Sequence, residues 1–341
     1  MIEVTELTRQ FGNVTAVDRL SFTVSAGEVL GFLGPNGAGK TTTMRIVTGF
    51  LAPSAGTVTV FGNDVRTASK AVRARIGYLP EGAPLYGDMT PVQLLRFATR
   101  MHGLTVQRTR ERIAFAIERL ALKEVVSLRC ETLSKGFRRR VALALAIVHD
   151  PDVLILDEPT DGLDPNQKHD VRGLIRDLSM DRIIVVSTHV LEEVDAVCSR
   201  AIIIGNGRLL ADGTPLQLAA RSRFHGAVTL TFRDLPADVE VLNEIGSGTH
   251  IESGVAPRIT VFPRQQARAD GKSLFDVTRQ LAAERRWSLD GLFVEQGRLE
   301  EVFRTLTTAA ANPSAATPSA ATPSAAAPSS AAANATGTAA L

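Results

Sequence analysis

The sequence contains no long apolar segment. Its longest uninterrupted apolar run, residues 141–148, has eight residues, far fewer than the roughly 20 that a membrane-spanning helix needs. The first eleven residues, MIEVTELTRQF, contain acidic side chains and lack the apolar core of a secretory signal. We therefore expect a soluble, cytoplasmic chain that reaches a membrane only through a partner protein.

Cysteine and net charge are also scarce. The two cysteines, Cys130 and Cys198, lie in unrelated contexts without the spacing of metal ligands, which is typical of a reduced cytosolic protein. The formal net charge is +2, with basic and acidic residues interspersed. Because nucleic-acid binding requires a broad basic face, this charge pattern argues against a nucleic-acid partner.

The sequence does contain the glycine-rich stretch GPNGAGKTT. It includes the pattern G-x-x-x-x-G-K-[ST] at residues 34–41, after the apolar run 29–33 and before a predicted helix at 40–48. This order of strand, loop and helix predicts a phosphate site, because backbone N–H groups and the positive end of a helix dipole face the anion. We expect Lys40 to contact the outer phosphates and Thr41 to ligate Mg²⁺. The predicted nucleotide-binding residues of the loop are Gly34, Pro35, Asn36, Gly37, Ala38, Gly39, Lys40, Thr41 and Thr42.

Two apolar runs elsewhere predict strands that end in polar side chains. Residues 153–156 form a continuous apolar run, typical of a strand buried on both faces, and are followed by Asp157 and Glu158. Residues 183–186 form a second such run, shortly before His189. Ligands of open α/β sheets bind at the carboxyl ends of strands, so we expect these side chains at one site. Adjacent strand residues point to opposite faces, and only a backbone turn at the strand end lets both acids face that site.

The pattern along the chain divides it into three parts. Residues 1–222 alternate strands and helices, interrupted by two amphipathic helical patterns that predict an inserted helical subdomain at about 82–150. Residues 226–307 form a smaller α/β unit without a recognisable motif. From residue 309 to 341 the chain is rich in Ala, Pro, Ser and Thr, and we expect this tail to be disordered.

Short motifs surround the phosphate loop in a fixed order. They are Phe11, Glu81, LSKGF at residues 133–137, LILDEPT ending at Thr160, DGLD at 161–164, and His189. This set resembles the adenine-stacking aromatic, Q-loop, signature motif, Walker B strand, D-loop and switch histidine of the ATP-binding subunits of ABC transporters. The resemblance covers about residues 1–220. Residues 226–307 resemble the extra C-terminal segment of the exporter-type branch, which includes gliding-motility-associated and drug-efflux ATPases.

The resemblance implies both a fold and a chemical role for each site residue. The implied α/β fold is a P-loop domain with a RecA-like core, an antiparallel β subdomain, an inserted helical subdomain and a small C-terminal α/β module. The implied cofactors are ATP and Mg²⁺. The catalytic residues would be Glu158, which polarises the attacking water, His189, which contacts the γ-phosphate, and Glu81. The metal-binding residues would be Thr41, Asp157 and Glu81. Phe11 would stack on adenine, although packing in the core or the hairpin is the alternative.

The resemblance also implies two partners. Ser134, Gly136 and Asp164 of one copy would close on the nucleotide held by a second copy, in a head-to-tail dimer with two composite sites. A separate transmembrane permease would hold the chain on the inner face of the cell membrane. Residues 82–88 are the candidate docking surface for that permease, with a mobile loop as the alternative. No nucleic acid is expected.

Three departures from the family pattern stand out. Glu81 replaces Gln, and a carboxylate cannot donate a hydrogen bond to water. Phe137 replaces another Gln. Lys135 replaces the first signature Gly, and it either adds charge near the opposing phosphate or points to solvent. The following arginines, residues 138–140, are expected to face solvent or phosphate-bearing neighbours.

The expected function is therefore ATP-driven transport, most simply export, through a separate membrane subunit. Two alternatives remain at this stage. The first is a regulatory nucleotide-binding protein with weak turnover, and the second is a soluble ABC ATPase that acts on ribosomes or DNA.

Overall fold

The computed structural model describes residues 1–254, 256–264 and 271–311. Its strands are β1 Ile2–Phe11, β2 Val14–Val24, β3 Val29–Leu33, β4 Ala55–Val60, β5 Asn63–Asp64, β6 Ile76–Leu79, β7 Val153–Asp157, β8 Ile183–Thr188, β9 Arg200–Gly205, β10 Arg208–Gly213, β11 Val228–Phe232, β12 Thr249–Glu252, β13 Arg258–Val261 and β14 Leu289–Val294. Its α-helices are α1 Lys40–Val47, α2 Ser69–Arg75, α3 Pro91–Met101, α4 Val106–Arg119, α5 Lys135–Ile147, α6 Pro165–Ser179, α7 Leu191–Val197, α8 Pro215–Ala219, α9 Leu242–Ile245, α10 Leu274–Glu284 and α11 Leu299–Ala311.

A six-stranded sheet in the order β10-β9-β3-β8-β7-β6 forms the centre of the molecule. All its pairs are parallel except the β9–β10 hairpin. Every residue of β3, β7 and β8 is buried, as the continuous apolar runs predict for strands covered on both faces. Leu33 pairs with Thr188, and Asp157 pairs with Ser187. The carboxyl ends of these three strands therefore meet at one edge of the sheet.

A second, antiparallel sheet in the order β2-β1-β4-β5 covers α1 and one face of the central sheet. Its inward side chains share a core cluster with β3 and β7, and the rings of Phe22 and Phe32 lie 5.6 Å apart within it. The β1–β2 turn places Phe11 opposite Val14, at the tip of the hairpin. This packing brings the hairpin close to the phosphate loop.

The inserted helices α3, α4 and α5 pack on the other face of the central sheet, in the same core cluster as Leu154 and Val186. Thr90 caps the start of α3, where its hydroxyl accepts from the backbone N–H of Gln93, and Pro91 occupies the first turn. No helix in the described ranges has both the length and the apolar character needed to cross a bilayer.

The C-terminal residues form a third sheet, ordered β12-β13-β11-β14, with α10 packed against it. Helix α11 does not join that small core. Its side chains Leu299 and Val302 are buried with Ala201 and Leu218, in the cluster of the central domain. The helix also continues to Ala311, past residue 309, where the disordered tail was predicted to begin. Residues 312–341 of that tail lie outside the described residues.

The prediction that the arginines after the signature motif face solvent is wrong for two of the three. Arg138 is exposed, but Arg139 and Arg140 are 4% and 8% exposed. Helix α5 enters the core at this point, and each guanidinium reaches backbone carbonyl groups that accept its hydrogen bonds. These bonds offset the cost of removing the charge from water.

Candidate nucleotide-binding site

The phosphate loop joins the end of β3 at Leu33 to the start of α1 at Lys40. At two positions of the loop, a neighbouring backbone carbonyl lies so close that only glycine fits. A Cβ atom on Gly34 would lie 2.8 Å from the carbonyl oxygen of Ile204, and one on Gly39 would lie 2.4 Å from that of Ala16. Gly39 also has a φ of 101°, which favours glycine. The loop therefore packs between the β1–β2 hairpin and β9, and α1 begins directly after it.

Lys40 is the cation of the site and is only 8% exposed. Its Nζ donates to the carbonyl oxygens of Gly34 at 2.6 Å and Pro35 at 3.1 Å. Burial lowers the pKa of the Lys40 ammonium, whereas the nearby carboxylates of Glu158, Asp157 and Glu81 raise it. The loop thus holds a buried ammonium whose charge is balanced by the carboxylates predicted to belong to the same site.

Thr41 and Asp157 supply adjacent oxygen atoms. The Thr41 hydroxyl donates to Oδ2 of Asp157 at 3.2 Å, and Asp157 is 1% exposed at the end of β7. Glu81 lies near them, one residue beyond Pro80, at the rim of the same cavity. Protein Mg²⁺ sites use one or two carboxylates, and the remaining ligands are waters and substrate phosphates. This hydroxyl–carboxylate pair beside a phosphate loop fits such an ion.

Glu158 follows the strand end in a left-handed backbone conformation, with a φ of 52°. This turn lets its side chain share the site with Asp157. Its Oε1 lies 2.8 Å from Nδ1 of His189, and its Oε2 accepts from the Thr188 hydroxyl at 3.4 Å. The carboxylate is therefore held by the end of β8.

One cavity of about 500 Å³ lies between the phosphate loop and the carboxylates of Glu81, Asp157 and Glu158, whereas His189 is not part of its lining. Its lining residues are Phe11, Ala16, Pro35, Asn36, Gly37, Gly39, Lys40, Thr41, Thr42, Glu81, Asp157 and Glu158. Phe11 is 47% exposed, so it is not a core residue, and Arg9 lies over its ring at 4.5 Å. Of the loop residues predicted to bind nucleotide, Gly34 and Ala38 do not line the cavity. Ala16 does, and no feature of its sequence context could have revealed this.

The structure does not bring Ser134, Gly136 and Asp164 to this cavity. Ser134 is exposed, and its hydroxyl accepts from Phe137 N at the start of α5. Asp164 occupies the equivalent position at the start of α6, where Oδ1 accepts from Gln167 N. A Cβ atom on Gly136 would lie 2.8 Å from Oε1 of Gln167. These residues thus lie together around the starts of α5 and α6, away from the phosphate loop of the same chain.

Lys135 is solvent-exposed, as one of the two alternatives expected, and it also pairs with an acidic side chain of the same chain. Its Nζ lies 2.9 Å from Oδ2 of Asp161, and both side chains are more than half exposed. Its methylene groups cover Gly162, where a Cβ atom would approach within 2.7 Å. Lys135 thus joins the signature segment to the following D-loop segment within one chain.

The fold and the site together define a P-loop ATPase. The family model described as ABC transporter matches residues 17–161. The chain is 37% identical over 276 residues to the Nod factor export ATP-binding protein I of Paraburkholderia xenovorans (strain LB400), covering 79% of this chain and 90% of that protein. The chain therefore belongs to the ABC transporter family, as one of its ATP-binding ATPase subunits.

Two further similarities each cover 65% of this chain. The chain is 39% identical over 223 residues to the probable multidrug ABC transporter ATP-binding protein YbhF of Escherichia coli (strain K12), a match that covers 65% of this chain but only 38% of that protein. A solved structure of an ATP-binding subunit of an ABC transporter superposes with a TM-score of 0.62 at 28% identity, covering 65% of this chain and 92% of that one.

Proposed function

We propose that this chain hydrolyses ATP to drive export through a separate membrane-spanning subunit. The observation that carries the proposal is that Lys40, Thr41, Asp157 and Glu158 line a single cavity, with His189 bonded to Glu158. Two relatives are named as export or multidrug ATP-binding proteins, which supports export as the direction. Residues 1–222 would form the ATP-binding domain, and residues 226–307 an accessory unit whose last helix, α11, packs in the core of that domain.

Phosphoryl transfer to water depends mainly on positioning and charge stabilisation. Lys40 is placed to bind the outer phosphates, and Phe11 offers an exposed ring to the adenine. Glu158 would accept a proton from the attacking water, while His189 holds that carboxylate and contacts the γ-phosphate. Mg²⁺, held by Thr41 and Asp157 with Glu81 nearby, would draw charge from the β- and γ-phosphates when bound.

The composite site would require a second copy of the chain. Ser134 is exposed and does not line the cavity of its own chain, so it is free to contact the nucleotide of a partner. The sequence has one phosphate loop and one signature segment, and a two-fold head-to-tail pair would combine them into two equivalent sites. Gly136 and Asp164 lie beside Ser134 and would join the same contact.

The permease would dock on the segment 82–88 and α3. Tyr86 is 63% exposed and meets Phe97 edge to face, with ring centroids 6.4 Å apart. Met101, one turn further along α3, is also exposed, whereas Leu85 packs against the core. Exposed apolar side chains grouped in this way mark interaction sites. This contact would place the chain on the inner face of the membrane.

Co-purification with a membrane subunit tests the docking surface. We expect Tyr86→Asp to abolish the association, and Met180→Asp, at an exposed residue after α6, to leave it intact. Equal recovery of the membrane subunit with both variants would contradict docking at Tyr86.

A nucleotide-binding regulator with weak turnover is the second candidate, and Glu81 is the observation that favours it. Glu81 lines the cavity, and its carboxylate cannot donate to water or phosphate. Phosphate release from MgATP by the purified chain separates the two functions. We expect multiple turnovers, at a rate on the order of 1 s⁻¹ or more, that Lys40→Ala abolishes. A rate that Lys40→Ala leaves unchanged, or less than one turnover per chain, would contradict the ATPase proposal.

A further inference from the structure

Arg139 is a buried cation directly behind the proposed catalytic carboxylate. Its guanidinium donates to three backbone carbonyl groups: Nη1 to Pro80 at 3.1 Å, and Nη2 to both Asp157 and Glu158. These carbonyls come from the ends of two neighbouring strands, β6 and β7. Arg139 therefore ties together the chain segments that carry Glu81, Asp157 and Glu158.

The two carbonyl groups on Nη2 flank an unfavourable backbone conformation. Glu158 has a φ of 52°, a left-handed conformation that residues with a side chain rarely adopt. In this turn the side chains of Asp157 and Glu158 line the nucleotide cavity, while their carbonyl oxygens converge on Arg139. Hydrogen bonds from Nη2 to both oxygens favour this turn over the extended backbone that would separate the two carboxylates.

Space filling alone does not explain a guanidinium at this position. A buried charge is costly, and an apolar side chain of similar volume often stabilises a fold equally well. Burial lowers the pKa of Arg139, and the charges that act in the opposite direction are the carboxylates of Asp161, Asp157, Glu158 and Glu81. The Arg139 guanidinium therefore lies near the three carboxylates of the nucleotide site and near Asp161 of the D-loop segment.

We propose that Arg139 is a positioning residue that holds Glu158 in its catalytic orientation and links it to the signature segment. Arg139 lies on α5, which begins directly after Ser134. A displacement of Ser134 by the nucleotide of a partner copy would move α5, and Arg139 transmits that displacement to the carbonyls of Asp157 and Glu158. The inference rests on the proposed ATP hydrolysis, because it concerns the carboxylate that would activate water.

Arg140 provides a matched control on the same helix. It is also buried, and its Nη1 donates to the carbonyl oxygens of Leu120 at 3.1 Å and Ala121 at 3.4 Å. These acceptors follow α4 in the helical subdomain, and neither they nor Arg140 line the nucleotide cavity. Replacing either arginine with lysine keeps the charge but removes the forked donor geometry.

The test compares Arg139→Lys with Arg140→Lys by measuring kcat, the Kd for ATP and Tm. We expect Arg139→Lys to lower kcat about 10- to 100-fold, since small displacements of a catalytic group have effects of this size. Its Kd for ATP should stay within about twofold of the wild-type value, because the phosphate loop is untouched. Arg140→Lys should lower Tm by a similar amount and leave kcat within about twofold.

Arg139→Gln is the second variant, because an amide can still donate to one of the carbonyls. We expect its kcat to fall at least as far as that of Arg139→Lys, with ATP binding retained. Equal kcat values for Arg139→Lys and Arg140→Lys would overturn the inference. The inference would also be overturned if both Arg139 variants lost ATP binding and their Tm fell in parallel, because the role of Arg139 would then be structural. If the wild-type chain released no phosphate, the proposed function itself would fail.

Discussion

Nδ1 of His189 lies 2.8 Å from Oε1 of Glu158. The bond joins the ends of β7 and β8, and the Thr188 hydroxyl holds the second oxygen of the same carboxylate. The His189 side chain is 61% exposed and that of Glu158 only 15%. The imidazole is therefore open to solvent, while the carboxylate is held by two neighbouring side chains.

This pairing predicts the effect of removing the imidazole. His189→Ala should reduce kcat by about 10²- to 10⁴-fold, the usual range for a group that assists proton transfer. Its Kd for ATP should change little, because the proposed phosphate contacts are those of Lys40 and the loop. Single-turnover phosphate release and ATP titration measure the two quantities. A variant that keeps at least a third of the wild-type kcat would show that the bond has no catalytic role.

The Thr41–Asp157 pair predicts a dependence on Mg²⁺. Removing the ion with EDTA should abolish hydrolysis by the wild-type chain. Asp157→Asn should raise the Mg²⁺ concentration needed for half-maximal activity by about 10- to 100-fold, as is typical when a group that supports a metal is changed. Asp152→Asn, at an exposed residue paired with Arg75, is the control and should leave the Mg²⁺ requirement unchanged.

His149 predicts a pH dependence of stability. Burial, assisted by the neighbouring His102, lowers its pKa from 6.5 to about 4. The unfolded chain keeps the ordinary pKa, so between pH 6.5 and pH 4 the unfolded state binds more protons than the folded state. The contribution of neutral His149 is therefore complete above pH 6.5 and is lost as the pH falls through this interval.

Urea unfolding at pH 7 and pH 5 measures this contribution. Between the two, the wild-type chain should lose about 1–2 kcal/mol more of its free energy of unfolding than His149→Gln does. The glutamine can keep a hydrogen bond to the Ile76 carbonyl, which His149 Nε2 contacts at 3.2 Å. Equal losses in the two proteins would show that His149 does not titrate as its burial implies.

The position of α11 makes a prediction about the central domain. Leu299 is 5% exposed and packs in the core that contains Ala201 and Leu218. Leu299→Ala should therefore lower the free energy of unfolding of the ATP-binding domain by about 2–4 kcal/mol. Leu216→Ala, at an exposed position on α8, should change it by less than about 0.5 kcal/mol. The urea concentration at which half of the ATP binding is lost measures this change in stability. An unchanged midpoint for Leu299→Ala would contradict the packing of α11 in this core.

Much of the fold and the phosphate loop could be predicted because their signals are local. A continuous apolar run such as residues 153–156 determines that a strand is buried on both faces, and the residue that follows it must lie at the strand end. Likewise, a glycine-rich loop that follows a strand and precedes a helix can adopt few other structures. Lys40, Asp157 and Glu158 could be assigned to one site on these grounds.

The features that the sequence did not reveal depend on contacts between residues that are far apart in the chain. Arginines usually lie at the surface, and only the fold shows that the carbonyls of Pro80 and Glu158 are available to Arg139. The assignment of residues 226–307 to a separate α/β unit likewise did not reveal that α11 packs in the same core cluster as Ala201 and Leu218. The pairing of Lys135 with Asp161 similarly requires the start of α5 to meet the loop after β7.

The central claim is that two copies of the chain enclose ATP between them, with Ser134 of each contacting the nucleotide of the other. Glu158→Gln should preserve ATP binding while preventing hydrolysis, so the closed dimer should accumulate. Adding Ser134→Arg should prevent closure, because a large side chain would occupy the contact. Light scattering of Glu158→Gln with MgATP is the most direct measurement. The account predicts twice the monomer mass of 36.5 kDa, and a monomer at saturating ATP would contradict it.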